Sequence, residues 1–234
     1  LESAKIVDIT HDITPFNIQQ AAYVLRNCFK DFPHGTIHII SIDDELTSKN
    51  EHLAVKANGH YFIGADNGLF SLLLNEMKAE KIVCLTISQS TNCMTFATKN
   101  IFVPAACHLA RGGTMEIIGT EVADFEVKRT ELKAVIEKDM IRGVVIYVDG
   151  YGNAITNISK GVFEGIQKGR DFSILFGRED EQITTISAKY KEVSPSEKLA
   201  LFGENDLLQI AMNQGEANKL LGLNLHEIIR IEFK

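Results

Sequence analysis

The stretch Ala54-Val55-Lys56-Ala57-Asn58-Gly59-His60-Tyr61-Phe62-Ile63-Gly64-Ala65-Asp66-Asn67-Gly68-Leu69-Phe70 reads as a strand, an Asn-Gly hairpin turn, a second strand, and a Gly-Ala-Asp-Asn-Gly loop that opens a helix. Working outward, Asn17 to Lys30 carries Ile18, Ala21, Ala22, Leu25 and Phe29 at helical spacing, with Asn17 as N-cap. Phe32-Pro33-His34-Gly35 is a turn ahead of a strand from Thr36 to Ile42, and Lys5 to Ile9 is a short β-rich run. Downstream, a helix near Leu69 to Met77, a buried strand from Lys81 to Ile87 and a helix from about Phe102 to Arg111 complete the alternation. That order predicts an α/β unit with a mainly parallel sheet covered on both faces.

After Gly112-Gly113 the pattern changes. A polar stretch from Asp124 to Asp139 precedes the apolar run Val144 to Val148. Short β-rich runs follow at Phe172 to Phe176, Ile183 to Ala188, Leu199 to Phe202, Leu207 to Met212 and Ile228 to Phe233, with small helices near Lys160 to Ile166 and Glu216 to Leu221. Short strands joined by turns predict a second, β-rich, barrel-like domain. The expected boundary lies between 125 and 140, giving an N-terminal α/β domain over 1–130 and a C-terminal β-rich domain over 131–234.

At 234 residues, 45% hydrophobic and 24% charged, the chain has an ordinary globular composition. A net charge of −7 excludes nucleic acid as the main partner, because phosphate binding needs a basic footprint. No apolar run is long enough to cross a bilayer, no signal peptide is visible, and no membrane partner is expected. Cys28, Cys84, Cys93 and Cys107 show no CxxC spacing and read as buried free thiols in a reducing cytoplasm. Seven scattered histidines form no metal-binding pair, so neither a metal site nor a cofactor is expected.

One turn invites a ligand. Asp149-Gly150-Tyr151-Gly152-Asn153-Ala154-Ile155-Thr156-Asn157-Ile158 follows the run Val144 to Val148. Its glycines let backbone approach a small molecule, Tyr151 offers a ring, and Asp149, Asn153 and Asn157 supply a carboxylate and two amides.

Together with Val7-Asp8-Ile9-Thr10-His11-Asp12-Ile13-Thr14-Pro15 and Phe102-Val103-Pro104-Ala105-Ala106-Cys107-His108-Leu109-Ala110, these segments resemble the S-adenosylmethionine hydroxide adenosyltransferase family, relatives of the fluorinases and chlorinases. The resemblance runs from about residue 5 to the C-terminus. It implies an N-terminal α/β domain, a C-terminal β domain and a homotrimer, with a nucleoside-like ligand between one subunit's first domain and the next subunit's second. It also implies a strand and a TDFG-like segment ahead of Leu1, whose Asp would hold the ribose hydroxyls.

In that family, S-adenosylmethionine is attacked at ribose C5′ by water-derived hydroxide or by a halide, and methionine leaves. The sulfonium is already a good leaving group, so the protein must align the nucleophile and strip its water. The hydrolytic members use an Asp and an Arg from a DPGVGTxRR segment and a His from a TFHGRD segment. The matching stretches here are Asp43-Asp44-Glu45-Leu46-Thr47-Ser48-Lys49-Asn50-Glu51 and Thr95-Phe96-Ala97-Thr98-Lys99-Asn100. Asp43 keeps the carboxylate, Asn50 replaces the Arg and Ala97 replaces the His. Thr98 stands where halide-using relatives carry a Ser, and Phe16 where they place a Trp. For the ligand, the resemblance implies Asp149 for the methionine ammonium, Tyr151 and Tyr190 flanking the adenine, and Asn153 for the base edge. Asp66 and Asn67 lie near the site in the family, although helix capping alone also explains them. His108 and His11 read as structural. Three readings follow: a hydrolase releasing adenosine and methionine with Asp43 positioning water, a nucleoside-binding protein without turnover, and a halide-using adenosyltransferase.

Overall fold

In the computed structural model, which describes residues 4–74, 77–88, 95–127, 133–177 and 182–234, the Asn-Gly turn forms as its residues dictate. Asn58 and Gly59 take φ of 49° and 75°, the left-handed pair of a tight hairpin. The chain divides into two compact units, Leu1–Thr130 and Glu131–Lys234.

The first unit contains α1 (Ile18–Cys28), β1 (Ile37–Ile39), β2 (His52–Ala57), β3 (His60–Ala65), α2 (Leu69–Leu74), β4 (Lys81–Leu85), α3 (Val103–Ala110), α4 (Met115–Ile118) and β5 (Gly119–Glu121). Asn17 caps α1 by accepting the Gln20 N–H at 3.0 Å. Period-2 alternation sends residues to opposite faces. Leu53, Val55 and Ala57 of β2 and Phe62 of β3 pack beneath α1 and α2. Ala54, Ile63 and Val83 face Phe102, Ala105 and Leu109. Both faces are covered, as expected.

The strand directions correct one expectation. The sheet order is β1-β3-β2-β4-β5, and among the described strands only β1 and β3 pair in parallel. The sheet is mixed, not mainly parallel. A two-residue turn joins β2 to β3 and permits only antiparallel pairing. β2 lies between β3 and β4 and opposes both. The run from Lys5 to Ile9 forms no strand, and Ile6 and Val7 are exposed; β-propensity yields ladder bonds only beside a partner strand.

The second unit contains β6 (Val135–Ile136), β7 (Met140–Val148), β8 (Ala154–Ser159), α5 (Lys160–Gln167), β9 (Phe172–Phe176), β10 (Gln182–Ile183), β11 (Lys198–Phe202), β12 (Leu207–Met212), α6 (Ala217–Leu220) and β13 (Ile228–Phe233). All strand pairs in this sheet are antiparallel, in the order β10-β9-β13-β7-β8-β12-β11 with β6 on β7. Just beyond β10, Ile186 bridges Ala200 of β11 and the Ser187 N–H donates to the Ala200 carbonyl at 2.8 Å. The sheet is therefore nearly closed and barrel-like. Its interior holds Ile141, Val145, Ile158, Ile174, Ile210 and Ile229, and Phe163 meets Phe172, Phe202 and Phe233 ring to ring.

Cys28, Cys84 and Cys107 are free and half-buried rather than fully buried, while Cys93 and part of the 125–140 boundary lie outside the described residues. Among the described residues no helix is long and apolar enough to cross a membrane.

Candidate active site

Strands β1, β3 and β4 run in one direction, because β1 parallels β3 and β2 opposes both β3 and β4. Their C-terminal ends share one edge, where the connections after residues 39, 65 and 85 emerge. In α/β sheets this edge is where ligands bind. The acidic turn, the Asp66-Asn67 loop and Thr98 all lie there.

The acidic turn is held by its backbone. Asn50 Nδ2 donates to the carbonyls of Asp43 and Glu45, each at 3.0 Å. Asn67 Nδ2 donates to those of Ile42 at 2.8 Å and Asp43 at 3.2 Å, while its Oδ1 accepts the Leu69 N–H at the start of α2. His52, 2% exposed at the start of β2, donates Nε2–H to the Asp44 carbonyl at 2.8 Å. Three side chains thus fix four successive carbonyls, and within that clamp Asp43 takes φ of 49°. A left-handed non-glycine residue needs such surroundings.

Asp43 lines a cleft of about 510 Å³ with Glu45, Lys49, Asn50, Asp66, Asn67 and Glu126. Its lining is dominated by carboxylates. Burial pushes the Asp66 carboxyl up, opposed by the Glu126 N–H at 2.8 Å and reinforced by Glu126, Glu51 and Asp124. So Asp43, Asn50, Asp66 and Asn67 do come together.

Thr98 sits at a different part of the same edge. Its hydroxyl lies 3.1 Å from Asp44 Oδ2 and 2.5 Å from Ser41 Oγ, and Ser41 donates to Asp44 Oδ2 at 2.6 Å. The carboxylate that meets Thr98 is Asp44. Sequence reasoning missed Ser41 and His52. A Ser-x-x-Asp spacing at a strand end was the available signal for Ser41, whereas the role of His52 arises from tertiary packing alone. Ala97 is 2% exposed and belongs to the core beneath α3, so this position supplies no imidazole. Phe16 takes φ of 65° and is 76% exposed at the entry to α1.

In the second unit, the β7–β8 turn is organised around Asp149. Its Oδ1 accepts the Tyr151 and Asn153 N–H groups and its Oδ2 accepts Asn153 Nδ2, all at 2.9 Å. Asn153 is buried and Tyr151 is 82% exposed. Gly152 has φ of 79°, and a Cβ there would sit 2.6 Å from Asn218 Oδ1. Tyr190 donates its hydroxyl to Gln209 Oε1 at 3.1 Å. Gln209 pairs with Ile155 of β8, just after that turn, and burial and then the Asp149 charge raise the Tyr190 pKa. Asp149 and Asn153 are therefore one hydrogen-bonded cluster, and Tyr190 is tied through Gln209 to the neighbouring strand β12.

The model for the SAM hydroxide adenosyltransferase N-terminal domain matches residues 1–119, and that for the C-terminal domain matches residues 143–230. The chain belongs to this family. It is 28% identical over 235 residues, 98% of this chain and 84% of the relative, to the (R)-S-adenosyl-L-methionine hydrolase of Methanocaldococcus jannaschii. It is 29% identical over 229 residues, 93% of this chain and 84% of the relative, to the protein of the same name from Thermus thermophilus. Among solved structures, an uncharacterized conserved protein from Thermotoga maritima aligns with a TM-score of 0.88 at 28% identity, covering 98% of this chain and 89% of that one.

As a SAM hydroxide adenosyltransferase family member, the chain reuses a lost position. Asn50, where the resemblance leads one to expect Arg, is a backbone clamp. His108 donates Nε2–H to the Thr114 carbonyl at 3.0 Å and serves the α3–α4 connection. His11 is exposed, 3.4 Å from Asp8.

Proposed function

We propose that this protein binds S-adenosylmethionine and transfers its adenosyl group to water, releasing adenosine and methionine. The curated relatives named for that hydrolysis, aligned across nearly the whole chain, support the substrate. The observation that carries water over halide is the cleft lining. Asp43, Glu45, Asp66 and Glu126 oppose a single lysine there, Lys49. Each amide hydrogen of Asn50 and Asn67 already has a backbone acceptor. Beside Lys49 and the Thr47 hydroxyl a halide would meet four carboxylates, with the Asn50 and Asn67 side-chain amides already engaged, at a Coulombic cost that grows as water is excluded. A sulfonium cation gains from the same charges, and neutral water is not repelled. The Asp149 turn supports the nucleoside end, with the Tyr151 ring accessible for stacking.

The finer parts of the reading are a homotrimer with the ligand shared between subunits, action in the cytoplasm, and turnover without a metal or cofactor. A second reading, binding without turnover, is favoured by Ala97 and Asn50 in place of His and Arg. Incubating the protein with S-adenosylmethionine and following adenosine by chromatography separates the two. Stoichiometric adenosine and methionine support hydrolysis, whereas tight binding without product supports the second reading. Light scattering tests the trimer.

A further inference from the structure

The polar group at Ser41, Asp44 and Thr98 stands apart from the Asp43 side of the loop, and the expected site residues account only for Thr98. We infer that these three side chains form a hydroxyl relay that takes the proton from the attacking water, with Asp44 as its terminal acceptor. This rests on the reading that water is the nucleophile.

A hydroxyl carries one hydrogen and two lone pairs. Ser41 gives its hydrogen to Asp44 Oδ2 at 2.6 Å, and Thr98, whose one hydrogen has Ser41 Oγ at 2.5 Å and Asp44 Oδ2 at 3.1 Å as acceptors, gives it to the nearer Ser41 Oγ. Thr98 Oγ1 then keeps a lone pair that can accept from a water. As that water's proton moves to Thr98, the Thr98 proton passes to Ser41 and the Ser41 proton to Asp44, which becomes a neutral carboxyl. The water oxygen forms the bond to ribose C5′ while the C–S bond breaks. Its electron pair leaves on sulfur as the neutral thioether of methionine, and Asp44 later returns its proton to solvent.

The relay is anchored at both ends to one turn. The Asp44 carbonyl accepts from buried His52, and the His52 ring stands edge-on to Phe102 at 4.9 Å between centroids. Phe102 closes the π-helical turn Thr98–Phe102 whose first residue is Thr98. Such turns are rare and concentrate at functional sites. Asp43 and Glu45 flank Asp44 but line the cleft, whereas Asp44 is not part of that lining and its carboxylate meets the Ser41 and Thr98 hydroxyls. The relay thus supplies a proton path where Ala97 provides none.

The test compares Asp44→Asn, Thr98→Val and Thr98→Ser with the unaltered protein. Each is assayed for adenosine release across pH, for S-adenosylmethionine affinity by calorimetry, and for its unfolding midpoint. Asp44→Asn and Thr98→Val should lower kcat by about 10²- to 10³-fold near neutral pH, the usual worth of a positioned base. Affinity should stay within about threefold, and Thr98→Ser should keep most of the activity. In Asp44→Asn the rate should climb about tenfold per pH unit as solvent hydroxide replaces the relay, a dependence that a structural role would not create. If Asp44→Asn fails to fold, Thr98→Val carries the same comparison. Activity within threefold of the unaltered protein in Thr98→Val, or a lowered rate whose pH profile parallels the parent's, overturns the relay while leaving hydrolysis intact. No adenosine from the unaltered protein overturns hydrolysis and the relay together.

Discussion

Acid should weaken the first unit through the pair His38 and His60. Both are nearly fully buried, 5% and 2% exposed, with His38 Nε2 3.3 Å from His60 Nδ1. The rings of Phe29, Phe32 and Phe62 surround His38, and His34 lies against His60. Burial, and secondarily His60, lower the His38 pKa to about 4 from 6.5; burial and then His34 lower that of His60. A depressed histidine pKa favours the folded state fully above the unfolded value and loses that advantage as pH falls toward the folded value. The window therefore runs from about pH 6.5 down to about 4. Across it His38 alone forfeits about 3 kcal/mol, with about 2 kcal/mol already gone at pH 5. Urea unfolding of the parent and of His38→Phe, at pH 7 and pH 5, isolates this contribution from that of the carboxylates. The parent should lose about 2 kcal/mol more than the variant. An equal loss in both would refute the buried neutral pair.

Asn50→Ala should destabilise the first unit by about 1–2 kcal/mol, since two carbonyls of a partly exposed turn lose their donor; an unchanged urea midpoint would show that the clamp contributes nothing. Gly152→Ala should cost about 2–4 kcal/mol through its left-handed backbone and the collision with Asn218, and a folded, unperturbed variant would contradict that turn geometry. Asn153→Ala should weaken adenosine binding roughly 10- to 100-fold, from the loss of about 1–3 kcal/mol. Unchanged affinity by calorimetry would remove Asn153 from the site.

Much of the architecture was legible because its signals are local. Asn58-Gly59 states a hairpin by backbone preference, Asn17 states a helix start, and Phe172 to Phe176, Leu207 to Met212 and Ile228 to Phe233 match β9, β12 and β13 residue for residue. Strand direction was not legible, since alternating helix and strand patterns do not reveal that β2 inserts between β3 and β4. Nor were the two- and three-residue strands β6 and β5, too short to show a period. At the site, the family resemblance pointed to Asp43, Asn50, Asp66 and Asn67, and these meet at one edge. What a single sequence hides is partnership. Asn50 reads as the loss of a cation until its amide is seen holding two carbonyls, and Asp44 reads as a solvated acid until Ser41 and Thr98 are found against it.

The central claim is adenosyl transfer to water, and isotope labelling tests it most directly. Incubating the protein with S-adenosylmethionine in ¹⁸O-enriched water should yield adenosine whose 5′-hydroxyl carries the heavy oxygen at the enrichment of the solvent, with one methionine per adenosine. Adenosine that fails to accumulate above the protein-free control, or that lacks the label, would contradict it.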